Sequence, residues 1–600
     1  MALLYEKLRA IKATQEAHAR RFNDPAFHFV PRRKLMQLQS GCIKTICEVL
    51  DKNNRTDAGQ QLDVSVVEEG LSVLMLHVYR SRERYRELLD GRGCVRVIVT
   101  GIRESSTNYF MQEKGIKLID DACLTLERCA EPFVTAGALE AIVDAMGRFA
   151  DNPNLQACGC DAISSIVSAL PDNGDYLGDV VFAVGAQVAA ARALQCHTRS
   201  EDVLVAGSQA LETITLRCGA LGRTLVQDAL STHPVPCGNT INCLASASER
   251  SSTATGRHAS YKSQAGTVLS SPGDEFKGLE SSSGDSGGCL GPTGAIGFAL
   301  RLADAYGRDD SRTIVRRTGA ARVGACAFNL VRALLSDRWG GELPDTTASE
   351  GGVPPDVVSE FCAEKGLDII FSVIEHHIHD PMLLIAAWQA MHAVVCLAWS
   401  EIRRRRRQQY STESEGTTDE PGDGAQEAEA GRPNSQEKTS ALLLRLQGLL
   451  IENLELTVRV AASVMDQHVA VAPLQWICLA CLADLQAVDS VVSDMFFANS
   501  GYKVLHRCIQ MNSRHTAVVE QACRLVAAMS VVSYTSRSRF MMEKFQDVIQ
   551  EMMYLHERHP GVQVLGGRAL NALWGRDETE AKQKAAAERR LKEERSGDLA

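Results

Sequence analysis

The same helical signature recurs seven times along this 600-residue chain. Each copy has a small residue, a core residue three places on, and large apolar residues one and four places beyond that. The small residues are Gly159, Gly207, Gly324, Ala387, Cys478, Ala522 and Gly566, and the core positions are Ala162, Ala210, Ala327, Ala390, Cys481, Leu525 and Ala569. Ile163, Leu211, Phe328, Met391, Leu482, Val526 and Leu570 follow directly, and Ile166, Ile214, Val331, Val394, Leu485, Met529 and Leu573 complete the copies. On a helix this spacing sets a thin stripe where neighbouring helices approach closely beside a thick stripe that fills the core. A unit repeated in this way buries its apolar face by stacking on its neighbours and leaves one long surface exposed, which favours a binding scaffold over a compact catalytic domain.

A second landmark precedes the first. Gly137 and Gly185 lie 25 residues before Ala162 and Ala210, while Gly366 and Gly501 lie 24 before Ala390 and Leu525. Each opens a fresh apolar-periodic run, and glycine permits the left-handed backbone of a tight turn between helices. The unit therefore reads as helix, glycine turn, helix, short turn, long core helix.

The stretch from Phe133 to Val143, followed by Asp151 to Ile163, resembles the armadillo repeat family over nearly a whole repeat. The resemblance implies an all-α, armadillo/HEAT-like right-handed α-solenoid with disordered inserts. Successive core positions are 48, 117, 63, 91, 44 and 44 residues apart, against a family period of about 40–47. Removing 340–354 turns 63 into 48, and removing 403–440 turns 91 into 53. Removing 248–292 leaves 72 of the 117, which fits neither one repeat nor two. Weaker copies extend toward the N-terminus, one at Ile119, Ala122, Cys123 and Leu126, another at Gly70, Val73 and Leu74.

The expected organisation is a capping helix region at 1–30, repeats over 31–247, a Ser/Gly-rich insert at 248–292, and repeats over 293–402 with a loop at 340–354. A polybasic then acidic insert at 403–440, repeats over 441–576 and a charged tail at 577–600 complete it. Residues 408–440 hold eight acidic and two basic residues and almost nothing apolar, a composition that cannot bury enough surface to order itself.

The formal net charge of −10 gives no general basis for nucleic-acid binding, which needs concentrated Lys and Arg. Nineteen cysteines invite a disulfide reading. The charged, amphipathic N-terminus lacks the apolar core of a signal peptide, however, and many of the thiols fall in helical core positions, so reduced cytosolic cysteines are expected.

Several local motifs have plainer explanations. Gly284-Asp285-Ser286-Gly287-Gly288 matches the nucleophile segment of trypsin-like proteases but sits in a low-complexity run without the β-barrel, histidine and aspartate that chemistry requires. His376, His377, His379 and Asp380 cluster at a helix end, where two ligands on one face do not make a tetrahedral site. Cys478 and Cys481 coincide with the small and core positions of the repeat. Residues 381–400 carry no formal charge and precede five arginines, Arg403 to Arg407, as a membrane span would. The same residues match the repeat register, so no span is expected. No phosphate-binding loop or zinc-protease motif occurs, and an enzyme is not expected.

Armadillo import adaptors carry a tryptophan one place before the core position and an asparagine four places after that tryptophan. The matching pairs here are Asp161 with Ser165, Gln209 with Thr213, Cys326 with Leu330, Gln389 with Ala393, Ala480 with Asp484, Arg524 with Ala528 and Arg568 with Ala572. None is Trp with Asn, so the resemblance does not carry over the import chemistry.

The resulting expectation is a non-enzymatic cytoplasmic scaffold, without cofactor or metal, that binds a protein or extended peptide along the groove of its long helices. Asp161, Ser165, Gln209, Thr213, Gln389, Arg524 and Arg568 are its candidate contact residues. A charge gradient from Asp161 and Gln209 to Arg524 and Arg568 would set the partner's direction. The alternatives are a nuclear transport adaptor and a structural component of cilia or the cytoskeleton.

Overall fold

The computed structural model describes residues 81–90, 93–105, 107–171, 175–232, 294–307, 314–336, 355–415 and 435–575, with 43, 46–48, 70, 71, 73–75 and 78 before them. The expected cap at 1–30, the insert at 248–292, the loop at 340–354 and the tail at 577–600 lie outside these residues, as does the Gly284–Gly288 motif. Among the described residues every regular element is helical.

Two compact units are present, residues 1–299 with 337–351 and residues 300–336 with 352–600. In the first, three long helices stack in order: α1 (Tyr109–Thr125), α2 (Pro153–Ala169) and α3 (Glu201–Arg217). In the second, five do: α4 (Ile314–Leu335), α5 (Pro381–Glu415), α6 (Ala472–Val488), α7 (Thr516–Val532) and α8 (Pro560–Leu573). Shorter helices alternate with them, as in Ala130–Thr135 and Ala138–Arg148 before α2, or Tyr534–Met542 and Phe545–Leu555 before α8. All seven core positions of the signature are buried.

The turns repeat with residue-level regularity. Counting from the core residue, the position 25 places earlier takes a left-handed backbone at Gly93, Gly137, Gly185, Lys365, Ser500 and Lys544, with φ between 53° and 85°. Gly137 and Gly185 thus sit where the sequence spacing put the turn. Gly366 and Gly501 do not, because the left-handed residue is the one before each of them. Their glycine answers a steric demand instead: a Cβ would come within 2.3 Å of the Phe361 ring and 2.4 Å of the Phe496 ring.

Thirteen places before the core, the second short helix ends at Ser105, Phe149, His197, His377, His468, Asn512 or His556. In all seven cases the amide three residues later donates to that residue's carbonyl at 2.8–3.1 Å. The long helix then starts at once. Asn108, Asn152 and Asp380 cap α1, α2 and α5 through Oδ1, accepting from two backbone amides each, which satisfies donors the helix itself leaves unpaired.

This column corrects the first weak copy. Leu126 lies beyond the end of α1, so Ile119, Ala122, Cys123 and Leu126 are out of register by four residues. The equivalents are Gly115, Leu118, Ile119 and Ala122. Gly115 faces Ile102 as Gly159 faces Met146, Gly207 faces Leu194 and Gly566 faces Met553, each 13 residues apart, with an added Cβ falling 2.3–2.7 Å from the partner side chain. Small residues at this point let the second and third helices of a repeat touch. Gly70, Val73 and Leu74, the other weak copy, are helical and buried.

Between α3 and α4 the described residues form two helices, Gly219–Thr232 and Ala295–Gly307. At the other insert, helix α5 does not stop at 402. It runs through Arg403–Arg407 to Glu415 because no Pro or Gly intervenes until Gly416, and Arg and Gln are good helix formers. The next helix, Ser435–Glu452, already covers 435–440.

Candidate functional site

Much of each long helix is buried; on α1, α2, α3, α5, α7 and α8 the residue before the core position lies on a narrow, partly exposed stripe, whereas Cys326 on α4 and Ala480 on α6 are buried. On α5 that stripe includes Gln389, His392 and Cys396. On α6 it reaches Asp484, and on α7 it includes Arg524. Because α5, α6 and α7 stack in succession, these groups meet.

Asp484 is the hinge of the cluster. His392 Nε2 donates to its Oδ2 at 2.8 Å, and Arg524 Nη2 pairs with its Oδ1. Cys396 Sγ lies 3.4 Å from His392 Nε2 and 3.9 Å from Asp484 Oδ2. Arg524 Nη1 also donates to Gln521 Oε1 at 3.2 Å. The Asp484 side chain is only 7% exposed, while His392 and Arg524 retain 22% and 24%.

Burial alone would push the Asp484 carboxyl up, yet the His392 hydrogen bond and the Arg524 charge outweigh it and hold the pKa below the usual carboxylate value. Burial likewise opposes charge on His392, but the hydrogen bonds to Asp484 and Cys396 and their charges raise its pKa to about 10. A carboxylate is thus held between an imidazolium and a guanidinium, fastening three consecutive repeats. Nitrogen, sulfur and oxygen donors converge here, and among the described residues His392, Cys396 and Asp484 form a group that could hold a metal.

The first unit has a polar row of its own. Ser165 is buried and donates to Asp120 Oδ1 at 2.6 Å across α1 and α2. Ser164 and Thr213 share a hydrogen bond of 2.9 Å across α2 and α3, and Thr213 also donates to the Gln209 carbonyl at 2.8 Å. Burial raises the Asp120 pKa, against the opposing hydrogen bond from Ser165.

The contact residues expected from sequence divide accordingly. Asp161 and Gln209 are exposed, Thr213 is half-buried, and Ser165 is buried, on α2 and α3. Gln389 and Arg524 are half-buried on α5 and α7, and Arg568 is exposed on α8. The Arg524 charge is engaged with Asp484. His392 and Cys396 were not anticipated, although their four-residue spacing is visible. Asp484 has a clearer signal, as the only charged residue in the 17-residue helix α6.

The histidines at 376–379 do not gather. His376 Nδ1 contacts the Ser372 carbonyl, His377 is buried, His379 bonds Gln467, and Asp380 caps α5. Cys478 and Cys481 are fully buried, and burial raises both thiols well above their ordinary pKa, as expected of inert core packing. No disulfide joins the described cysteines. Among the described residues one helical stretch, Pro381–Trp399, is long and apolar enough to cross a membrane; 67% of its most apolar window is buried inside the protein.

No family model and no curated protein matches the chain. Similar solved structures include an engineered protein, 13% identical, matched over 88% of this chain and 98% of its own with a TM-score of 0.45. A designed armadillo repeat protein in complex with the peptide (KR)4 is 11% identical over 58% of this chain and 98% of its own, with a TM-score of 0.35. A structure concerned with a conserved phosphorylation switch controlling the interaction between cadherin and beta-catenin is 12% identical over 94% and 96%, with a TM-score of 0.31.

Proposed function

We propose that the chain is a non-enzymatic armadillo-type scaffold that holds a protein partner, in extended form, across the exposed stripes of α5 to α8. The observation that carries this reading is the unbroken stacking of these four helices, with Gln389, Arg524 and Arg568 at equivalent positions and Asp484 fixing Arg524 between them. Trp476, half-buried, stands one turn before Ala480 on the same stripe of α6. Helices pack roughly 8–10 Å apart, so each repeat advances along the stripe by about two to three residues of extended chain. A regularly spaced row of fixed polar groups suits recognition of backbone and alternate side chains. The three-helix unit with its left-handed turn supports the armadillo assignment.

The test is capture from a cell extract by the full chain, identified by mass spectrometry, beside a Gln389→Ala/Arg568→Glu variant. Both side chains are away from the core, so the melting temperature should hold while partners recovered by the unmodified chain are lost. Recovery of the same partners by the variant would place binding elsewhere and overturn the reading. Partners bearing basic import signals would favour a transport adaptor, and tubulin or axonemal proteins a structural role.

A further inference from the structure

We propose that His392, Cys396 and Asp484 form a zinc-type metal site, with Nε2, Sγ and Oδ2 as ligands and a fourth position open to water. The three atoms already stand near the corners of a tetrahedral face. Zinc bonds of about 2.0–2.2 Å to nitrogen or oxygen and about 2.3 Å to sulfur imply ligand–ligand separations of roughly 3.4–3.6 Å. The observed separations are 3.4 Å for sulfur to nitrogen, 3.9 Å for sulfur to oxygen and 2.8 Å for nitrogen to oxygen. The last is short because a proton bridges the two atoms, and a metal taking that proton's place would move them apart by about half an ångström.

The donor chemistry selects the metal class. Imidazole, thiolate and carboxylate together suit zinc, whereas magnesium and calcium take oxygen ligands. The supports are rigid: His392 and Cys396 are one turn apart on α5, which is packed between α4 and α6, and Asp484 rises from the next helix. Arg524 holds Asp484 by its other oxygen, Oδ1, as the outer partners of ligating carboxylates do. His392 keeps 22% of its side chain exposed, so the cluster lies at the edge of the packed interior. On binding, the imidazolium loses its Nε2 proton and the thiol its Sγ proton, both to solvent. Asp484 stays ionised, and no electron is transferred. Two anionic ligands neutralise the dication.

The probe is cobalt(II), added to the chelator-treated full chain, then displaced by zinc. One cobalt per chain should give a sulfur-to-metal charge-transfer band and the visible bands of a four-coordinate site, both abolished by zinc. Because the chain holds nineteen cysteines, the deciding comparison is Cys396→Ser, in which the charge-transfer band should disappear. Asp484→Asn and His392→Gln should each weaken binding about tenfold or more. A band of full strength in Cys396→Ser, or no band in the unmodified chain, overturns the proposal. X-ray absorption on the zinc-loaded unmodified chain decides the matter without any variant: one sulfur among nitrogen and oxygen ligands supports the site, and two or more sulfurs or none reject it.

Discussion

The His468 ring places Nε2 2.6 Å from the carbonyl oxygen of Ile378, a residue 90 positions earlier in the chain. The acceptor directly follows His377, the residue equivalent to His468 in the preceding repeat. The same contact recurs from His197 to Ala150 at 2.6 Å, from Asn512 to Val469 at 2.7 Å and from His556 to Ser513 at 2.6 Å. In these four cases a repeat grips the turn of the one before it through a side chain at the end of its second helix. The bond satisfies a carbonyl that a helix end would otherwise leave unpaired.

Replacing His468 by phenylalanine keeps the ring and removes the donor. The loss should be about 0.5–1.5 kcal/mol, the net worth of a part-buried hydrogen bond. Hydrogen exchange should quicken at the turn after His377 and at α6, leaving α2 and α3 unchanged. Uniform exchange in variant and parent would show that the contact carries no weight.

Adjacent glycines in α8 should respond in opposite directions. A Cβ on Gly566 would fall 2.6 Å from Met553, while one on Gly567 meets nothing within 4 Å. Gly567→Ala should therefore stabilise by about 0.5–1 kcal/mol through helix propensity alone. Gly566→Ala forces Met553 aside and should destabilise by roughly 1–3 kcal/mol. Urea unfolding followed by circular dichroism reads both. Equal shifts would mean that the second and third helices are not in contact there.

Much of this architecture is legible in sequence because burial imposes one residue type at fixed spacing. The small, core and large positions of the signature needed no structure, and neither did the turns at Gly137 and Gly185. In α1 the sequence favours a register four residues late because Leu118, a large residue, occupies a core position otherwise mostly Ala, so that Ala122 looks like the better match. The turns at Lys365, Ser500 and Lys544 were hidden because their neighbours hold the chain in a conformation that local preference disfavours. A Gln six places before the core also repeats, bonding two carbonyls of the preceding helix at Gln112, Gln156, Gln475 and Gln563; with no apolar period to announce it, it went unread. The His392–Asp484 contact spans 92 residues and an insert, and no local pattern specifies such a pairing.

Ala162 has no exposed surface in α2, which lies between α1 and α3. Ala162→Asp would bury an unpaired carboxylate there and should destabilise the first unit by several kcal/mol. Asp161→Ala, one residue away and exposed, should shift stability by no more than about 0.5 kcal/mol. Thermal unfolding of the two variants tests the register directly. Similar melting temperatures would reject it.

The His392–Asp484–Arg524 cluster should give the metal-free protein a pH-dependent stability with two opposite limbs. His392 has a folded pKa raised to about 10 from an ordinary value of 6.5. Its contribution is therefore complete below about pH 6.5 and is lost as pH rises toward 10. Asp484 is shifted down, so its contribution is present above its ordinary value of 3.8 and is lost as pH falls through the lower folded value. The groups facing the imidazole are Asp484 and Cys396, with Arg524 on the far side of the carboxylate. Melting temperatures of the chelator-treated parent and of His392→Gln should differ most near pH 6 and converge by pH 10. Removing Asp484 instead, as Asp484→Asn, leaves two cations without their anion and should cost more than losing His392 alone. A parent-to-variant difference that stays constant from pH 6 to 10 would show that the imidazolium does not hold these repeats together.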